Sequence, residues 1–139
     1  MDIIKVKKAG PWLWIPTLYF AEGLPYFIVN TIALAVFKDM GLDNGTLGLV
    51  TTIISLPWLI KPFWSPFVDI FRSKRWWILS MQVAMAVAVL LVALLLPVTS
   101  FTMILILFLV VAFASATHDI AADGFYMIAL DHGQQSFFV

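Results

Sequence analysis

Glu22, Lys61, Asp119 and Asp123 are ionisable residues set inside long apolar stretches. Such groups are costly in a membrane helix, so they face other helices or a water-filled path. The sharpest case lies in residues 101–130. Residues 101–116 are apolar enough for hydrocarbon, yet the same helical run continues into His118, Asp119 and Asp123. Ser115, Asp119, Asp123 and Tyr126 are spaced four, four and three apart and share one helical face. Two carboxylates one turn apart in a poorly hydrated place repel each other. A proton that comes and goes there is what proton-coupled transport needs. A structural role at the mouth of the helix is an equal alternative, because Asp123 is close to the helix end.

Tyr19, Glu22, Tyr26 and Asn30 form a similar stripe nearer the N-terminus. Glu22 lies about ten residues in from Trp12, or roughly 15 Å deep. That is close to the midplane, where transporters place substrate and coupling-ion groups. Gly23 and Pro25 beside it predict a loosened or bent helix with freed backbone groups. Pairing of Glu22 to a base for packing is the other reading.

Lys61 stands between Pro57 and Pro62, and two prolines five apart predict a kink. Lys61 and Asp119 lie at similar depth, which permits an ion pair without showing that their faces meet. Snorkelling of Lys61 to the surface is a further outcome. In residues 69–75, Asp69 sits beside Arg72, Lys74 and Arg75. Membrane topology accounts for the bases, and the acid at a helix end beside them suggests a latch between helices.

These stripes require spanning helices to hold them. The chain has 139 residues, 63% hydrophobic and 12% charged, with a mean hydropathy of +1.02. A soluble domain carries about 25% charged residues, so the apolar excess must lie in lipid. The pattern predicts an all-α membrane bundle with four spans, at about 11–37, 46–68, 76–96 and 101–130. Each is near the roughly 20 residues needed to cross a bilayer, or longer. Gly10-Pro11 opens the first span. Asp43 or Asn44 is a candidate cap of the second, and Ser100 of the fourth. Trp12, Trp14, Trp76 and Trp77 fall near span ends, where aromatic belts sit. The third span has only Ser80 and Gln82 as strongly polar side chains. Its Met81, Ala84, Met85, Ala86 and Ala88 suit lipid or helix contacts, so no direct chemistry is assigned to it.

Lys5, Lys7 and Lys8 precede the first span and Arg72, Lys74 and Arg75 follow the second, against Lys38 alone on the other side. That split puts the N-terminus and the 69–75 loop in the cytoplasm. A cleaved signal peptide fits poorly, because Glu22 interrupts the apolar run and the span is too long. A zero formal charge points to no nucleic-acid partner, and the lack of Cys removes thiolate metal sites. With only His118 and His132 as histidines, no metal site and no cofactor are expected. Residues 131–135 read as a polar loop and 136–139 as the start of another apolar element, which suggests the N-terminal piece of a longer protein.

Three motifs carry a resemblance. They are Gly23-Leu24-Pro25, then Lys61-Pro62-Phe63-Trp64-Ser65-Pro66-Phe67-Val68-Asp69, then Ala114-Ser115-Ala116-Thr117-His118-Asp119-Ile120-Ala121-Ala122-Asp123-Gly124. Together, over about residues 19–131, they resemble the major facilitator branch that holds the bacterial muropeptide permease and the acetyl-CoA transporters. The resemblance implies two six-helix halves working by alternating access, of which residues 1–139 would supply the first four helices. It implies that the first and fourth helices line a cavity, with Glu22, Tyr26, Asn30, Ser115, Asp119 and Asp123 on a substrate or proton pathway. It implies a gate at the second helix, and Lys61, Asp69, Arg72, Lys74 and Arg75 are its candidate ion-pair groups. The latch of that superfamily has a Gly where Ser65 stands, and the bases are shifted, so Asp69 fits better than its partners do. The implied function is proton-coupled transport of a small organic solute, such as a sugar-peptide fragment of the cell wall, across an inner membrane. The implied partners are that solute, protons, lipid and the remaining helices of the same protein.

Two rivals remain. One is a complete four-helix membrane protein acting as an oligomeric exporter. The other is a carboxylate enzyme, since Asp119 and Asp123-Gly124 resemble a two-metal transferase motif. There the spacing is wrong by one residue and the second acidic pair is absent, so the reading is of a protein that is not an enzyme.

Overall fold

The computed structural model describes residues 10–138, and Lys5, Lys7, Lys8 and Val139 lie outside them. The first span runs Pro11–Asp39 as α1 (Pro11–Phe27), a π-helical turn (Ile28–Ile32) and α2 (Ala33–Asp39). The second consists of α3 (Asn44–Leu59), a 3-10 turn (Lys61–Phe63) and the short α4 (Ser65–Ile70). The third is α5 (Lys74–Leu95), the fourth α6 (Phe101–Ala129), and α7 (His132–Phe138) closes the chain. Among the described residues four helices are long and apolar enough to cross a membrane, and the chain is an all-α, multi-pass membrane bundle.

Several boundaries follow from local chemistry. Asp43 accepts hydrogen bonds from the Gly45 and Thr46 N–H groups, so α3 begins at Asn44, two residues before the expected start. The Thr46 hydroxyl and these backbone donors hold the Asp43 carboxyl below its ordinary range. Ser73 caps α5 through Trp76 N–H, again two residues earlier than expected. Ser100 occupies the cap position of α6, but its side chain makes no capping bond. Gly41, at φ 88°, ends α2: its N–H reaches the Lys38 carbonyl and the Leu42 N–H reaches that of Phe37.

Two expectations need correction. Residues 131–135 are not a loop: Asp131 Oδ1 accepts the Gln134 N–H at 2.8 Å, and the helix starts directly after it. The bend expected at Gly23-Pro25 lies further along. Pro25 sits inside α1, and the irregularity is the π turn, where the Ala33 N–H bonds five residues back to the Ile28 carbonyl. The prolines of the second span do more than kink it. The α-helix stops at Leu59, and Pro62 lies in the 3-10 turn before α4.

The fourth span is the centre. Half of its most apolar stretch is buried, against 22% for each of the others. Ala112, Ala114, Ala116, Ala121 and Ala122 are buried along it, and such small residues let helices approach closely in lipid. At one end Phe37 is fully buried and packs edge-on against Phe101 and Phe108, at 5.4 and 5.6 Å. At the other, Ile15, Val68, Ile78 and Tyr126 form a second cluster. Outward residues such as Leu49, Leu79, Val83, Leu90 and Leu94 are exposed, as lipid contact allows.

Phe37→Ala should lower stability by about 3 kcal/mol, the low end of the Phe→Ala range. Lipid removes most of the transfer term and leaves the lost packing. Unfolding in mixed micelles of rising denaturing-detergent fraction would measure it. A loss near zero would mean that Phe37 faces lipid.

Candidate functional site

The polar face of α6 meets the first and second spans. Lys61 follows the helix break at Ile60, and its Nζ lies 3.3 Å from Asp119 Oδ2. Depth permitted this pair, and the tertiary packing makes it. The side chains keep 30% and 20% of their exposure. Asp119 Oδ1 is buried without a hydrogen-bond partner, as are Ser115 Oγ, Trp58 Nε1 and Trp64 Nε1. One carboxylate oxygen is therefore neutralised and the other can still accept a proton or a donor.

About two turns further along α6, the Tyr126 hydroxyl donates to Glu22 Oε1 at 3.1 Å. Tyr126 itself is held between aromatic rings: Tyr19 stacks on it at 5.1 Å and Trp14 at 5.9 Å. The Tyr19 hydroxyl donates to the Phe138 carbonyl at 2.9 Å, tying this corner to α7. Glu22 is thus positioned by a buried phenol rather than by a base.

The first-span stripe divides. Tyr19 and Glu22 face α6. Tyr26 packs edge-on against Trp58 at 5.2 Å. Asn30 donates back to the Tyr26 carbonyl and accepts from the Ser55 hydroxyl at 3.3 Å. Asn30 lies in the π turn, and Tyr26, one turn earlier in α1, already meets the same span. Asp123, on the α6 stripe, is exposed and has no hydrogen bond or ion pair among the described residues. It does not join Asp119 in a hydrogen-bonded carboxylate pair.

The 69–75 segment forms a compact clasp. Lys74 pairs with Asp69, and its side chain crosses Gly124 of α6 so closely that a Cβ there would stand 2.6 Å from Cε. A side chain at position 124 would push the end of this lysine aside. Arg72 and Arg75 do not pair with Asp69. Arg72 lies over the Trp76 ring at 5.7 Å and Arg75 over Phe125 at 5.6 Å. Arg72 also takes a left-handed φ of 65°, which costs a non-glycine residue about 1–2 kcal/mol.

The third span also makes a polar contact inside the bundle, through one of its two strongly polar side chains. Gln82 Nε2 lies 3.2 Å from His118 Nε2, and His118 is fully buried with Nδ1 unpartnered. His118 is one residue off the Asp119 face, so helical geometry turns it toward α5. The signal in the sequence was Gln82 itself, since an amide in an apolar helix needs a partner. Among the described residues no group of His, Cys, Asp and Glu could hold a metal ion.

A family model described as the BT1 family matches residues 21–136. The chain is 31% identical over 111 residues to the anhydromuropeptide permease of Escherichia coli (strain K12), covering 76% of this chain and 22% of that one. It is 29% identical over 146 residues to a Rickettsia conorii protein named as a transporter, AmpG 4, covering 98% and 34%. It is 31% identical over 111 residues to an uncharacterised protein of Haemophilus influenzae, covering 76% and 26%. The chain therefore spans about a fifth to a third of the length of these curated relatives. No solved structure matches it significantly.

Lys61→Met or Asp119→Leu alone should cost about 2 kcal/mol. That is below the roughly 3–5 of a fully buried pair, because both side chains keep some exposure. The double replacement should cost less than the sum, with a coupling of about 1 kcal/mol or more. Strict additivity in detergent unfolding would mean that the two charges do not pair.

Proposed function

The chain belongs to the BT1 family, which is related to the major facilitator transporters, and on that premise we propose that it forms the first four helices of a longer alternating-access transporter. It takes a small organic solute, of the sugar-peptide class of the cell wall, across an inner membrane together with protons. The N-terminus and the Asp69–Lys74 clasp face the cytoplasm.

The observation that carries this reading is the Lys61–Asp119 pair at 3.3 Å within otherwise apolar spans. A charge pair there is costly to desolvate and contributes little net stability, so its presence favours a functional use. Glu22 and Asp119 then bear the mobile protons, and Lys61 competes with a proton for Asp119. Tyr126 orients Glu22. Tyr26, Asn30 and Ser115 line the solute side, and exposed Asp123 marks the mouth. The Asp69–Lys74 pair breaks and reforms as the second and third spans move apart, while Arg72 and Arg75 hold the clasp through aromatic faces. The solute class is supported by the permease name of one relative. A protein assembled from further helices also accounts for the exposed stripe residues Asp123, Tyr19 and Tyr26.

The test is uptake of a labelled anhydromuropeptide into vesicles carrying the full-length protein, with and without an imposed proton gradient. Asp119→Asn and Glu22→Gln should each lower gradient-driven uptake by at least about a hundredfold, the low end of the scale of one positioned proton-transfer group. Solute exchange without a gradient should survive in at least one of them. Uptake indifferent to the gradient would sink the proton coupling. Uptake indifferent to both substitutions would sink the site.

A further inference from the structure

Asp119 is only half partnered. Lys61 holds Oδ2 at 3.3 Å, while Oδ1 is buried without a hydrogen bond. A buried donor stands equally idle beside it. The Trp58 indole N–H is directed at the Asp119 carboxyl, yet Nε1 is buried and closes no bond. Trp58 is three residues before Lys61, in the last turn of α3. The indole and the cation therefore flank the break at Ile60 and serve one carboxyl. These idle atoms are enclosed by the described spans themselves, so the arrangement does not wait on any helix outside residues 10–138.

A buried donor left unpaired costs free energy for as long as it stays so. The Ser115 hydroxyl, also unpartnered and one turn earlier on α6, can rotate onto a backbone carbonyl of its own helix. An indole N–H has no such freedom: it only donates, and only in the plane of its ring. The Trp58 ring is also fixed from behind, edge-on against Tyr26 of the first span at 5.2 Å. The other charges around Asp119 are engaged or turned away. Glu22 of the first span is held by the Tyr126 hydroxyl, Asp123 of α6 is exposed, and His118 turns to Gln82 of the third span. Asp119 thus has two donors within reach, Lys61 on one oxygen and Trp58 waiting at the carboxyl.

We propose that Trp58 is the stand-in partner of Asp119: when Lys61 leaves the carboxylate, the indole N–H closes on Oδ1 and keeps the charge stabilised inside the membrane. Lys61 can then move away without forcing a proton onto Asp119. The same movement draws the indole along Tyr26, one turn from Glu22, and so carries the state of Asp119 to the first span. Trp58 is a positioning residue, since it takes up no proton and acts through Asp119. Its use in transport rests on the reading of Asp119 as a proton carrier, whereas the exchange of partners is a property of the packed spans alone.

Infrared titration of the full-length protein in lipid bilayers follows the carbonyl band of a protonated carboxyl, assigned to Asp119 by its loss in Asp119→Asn. A donor to the carboxylate favours the ionised form, so removing the donor raises the pH at which the band appears. In the Lys61→Met background, Trp58→Phe should raise that midpoint by about one unit or more, the worth of a hydrogen bond to a charged group. With Lys61 in place the same substitution should raise it by less than about half as much. Trp64→Phe, which removes another buried indole N–H, should move neither midpoint. No shift in the Lys61→Met background overturns the proposal. Equal shifts in both backgrounds overturn it too, because Trp58 is then a constant donor and not an alternate one. If Lys61→Met does not fold, Trp58→Phe alone decides the matter in the vesicle assay. Gradient-driven uptake should fall about tenfold, the scale of one charge-assisted hydrogen bond, and unchanged uptake overturns the proposal. The infrared shifts found together with gradient-indifferent uptake support the exchange and sink only the proton coupling.

Discussion

Lipid offers no hydrogen bonds, so each ionisable or amide side chain inside a span must find its partner within the protein. Much of this structure answers that constraint. Lys61 reaches Asp119, Tyr126 reaches Glu22, Gln82 reaches His118, and Ser55 reaches Asn30. Three of these four contacts converge on α6, which explains why that helix lies at the centre of the described spans. The buried alanines of α6 allow the approach, and the polar contacts set its rotation. Apolar packing alone could not do so, because lipid tails compete equally with leucine for a helix surface.

The irregular backbone serves the same contacts. A continuous α-helix from Asn44 to Ile70 would carry Lys61 at a rotation set by Pro57 and Leu59. The break at Ile60 and the 3-10 turn re-aim it at α6. The π turn at Ile28–Ile32 contains Asn30, which meets Ser55 of α3. Each irregularity lies next to a polar contact between spans. Backbone departures of this kind gather at functional positions in membrane proteins.

The clasp at residues 69–75 shows a different balance. Arg72 is held in a left-handed conformation, which is unfavourable for its side chain. Around it, Lys74 meets Asp69, the Trp77 indole N–H donates to the Phe71 carbonyl, and the arginines rest on aromatic rings. Gly124 admits the lysine between the helices. A strained turn stabilised by contacts between separate helices is suited to release when those helices part.

The sequence by itself determined which segments enter the membrane and how deep each polar residue lies. Rise per residue converts position into depth, so Glu22 falls roughly 15 Å in from Trp12, and Lys61 and Asp119 fall at similar depth. The shared faces of Ser115, Asp119 and Tyr126 were likewise legible, since helical period is a local property. Which face meets which was not legible. Rotation about a helix axis depends on contacts made by other helices, and in lipid the apolar residues leave it nearly undetermined. Only the tertiary structure separated Asp123 from Asp119, gave Glu22 a tyrosine instead of a base, and brought Gln82 and His118 into contact. It also brought Lys74, and neither Arg72 nor Arg75, to Asp69, with the lysine side chain passing over Gly124.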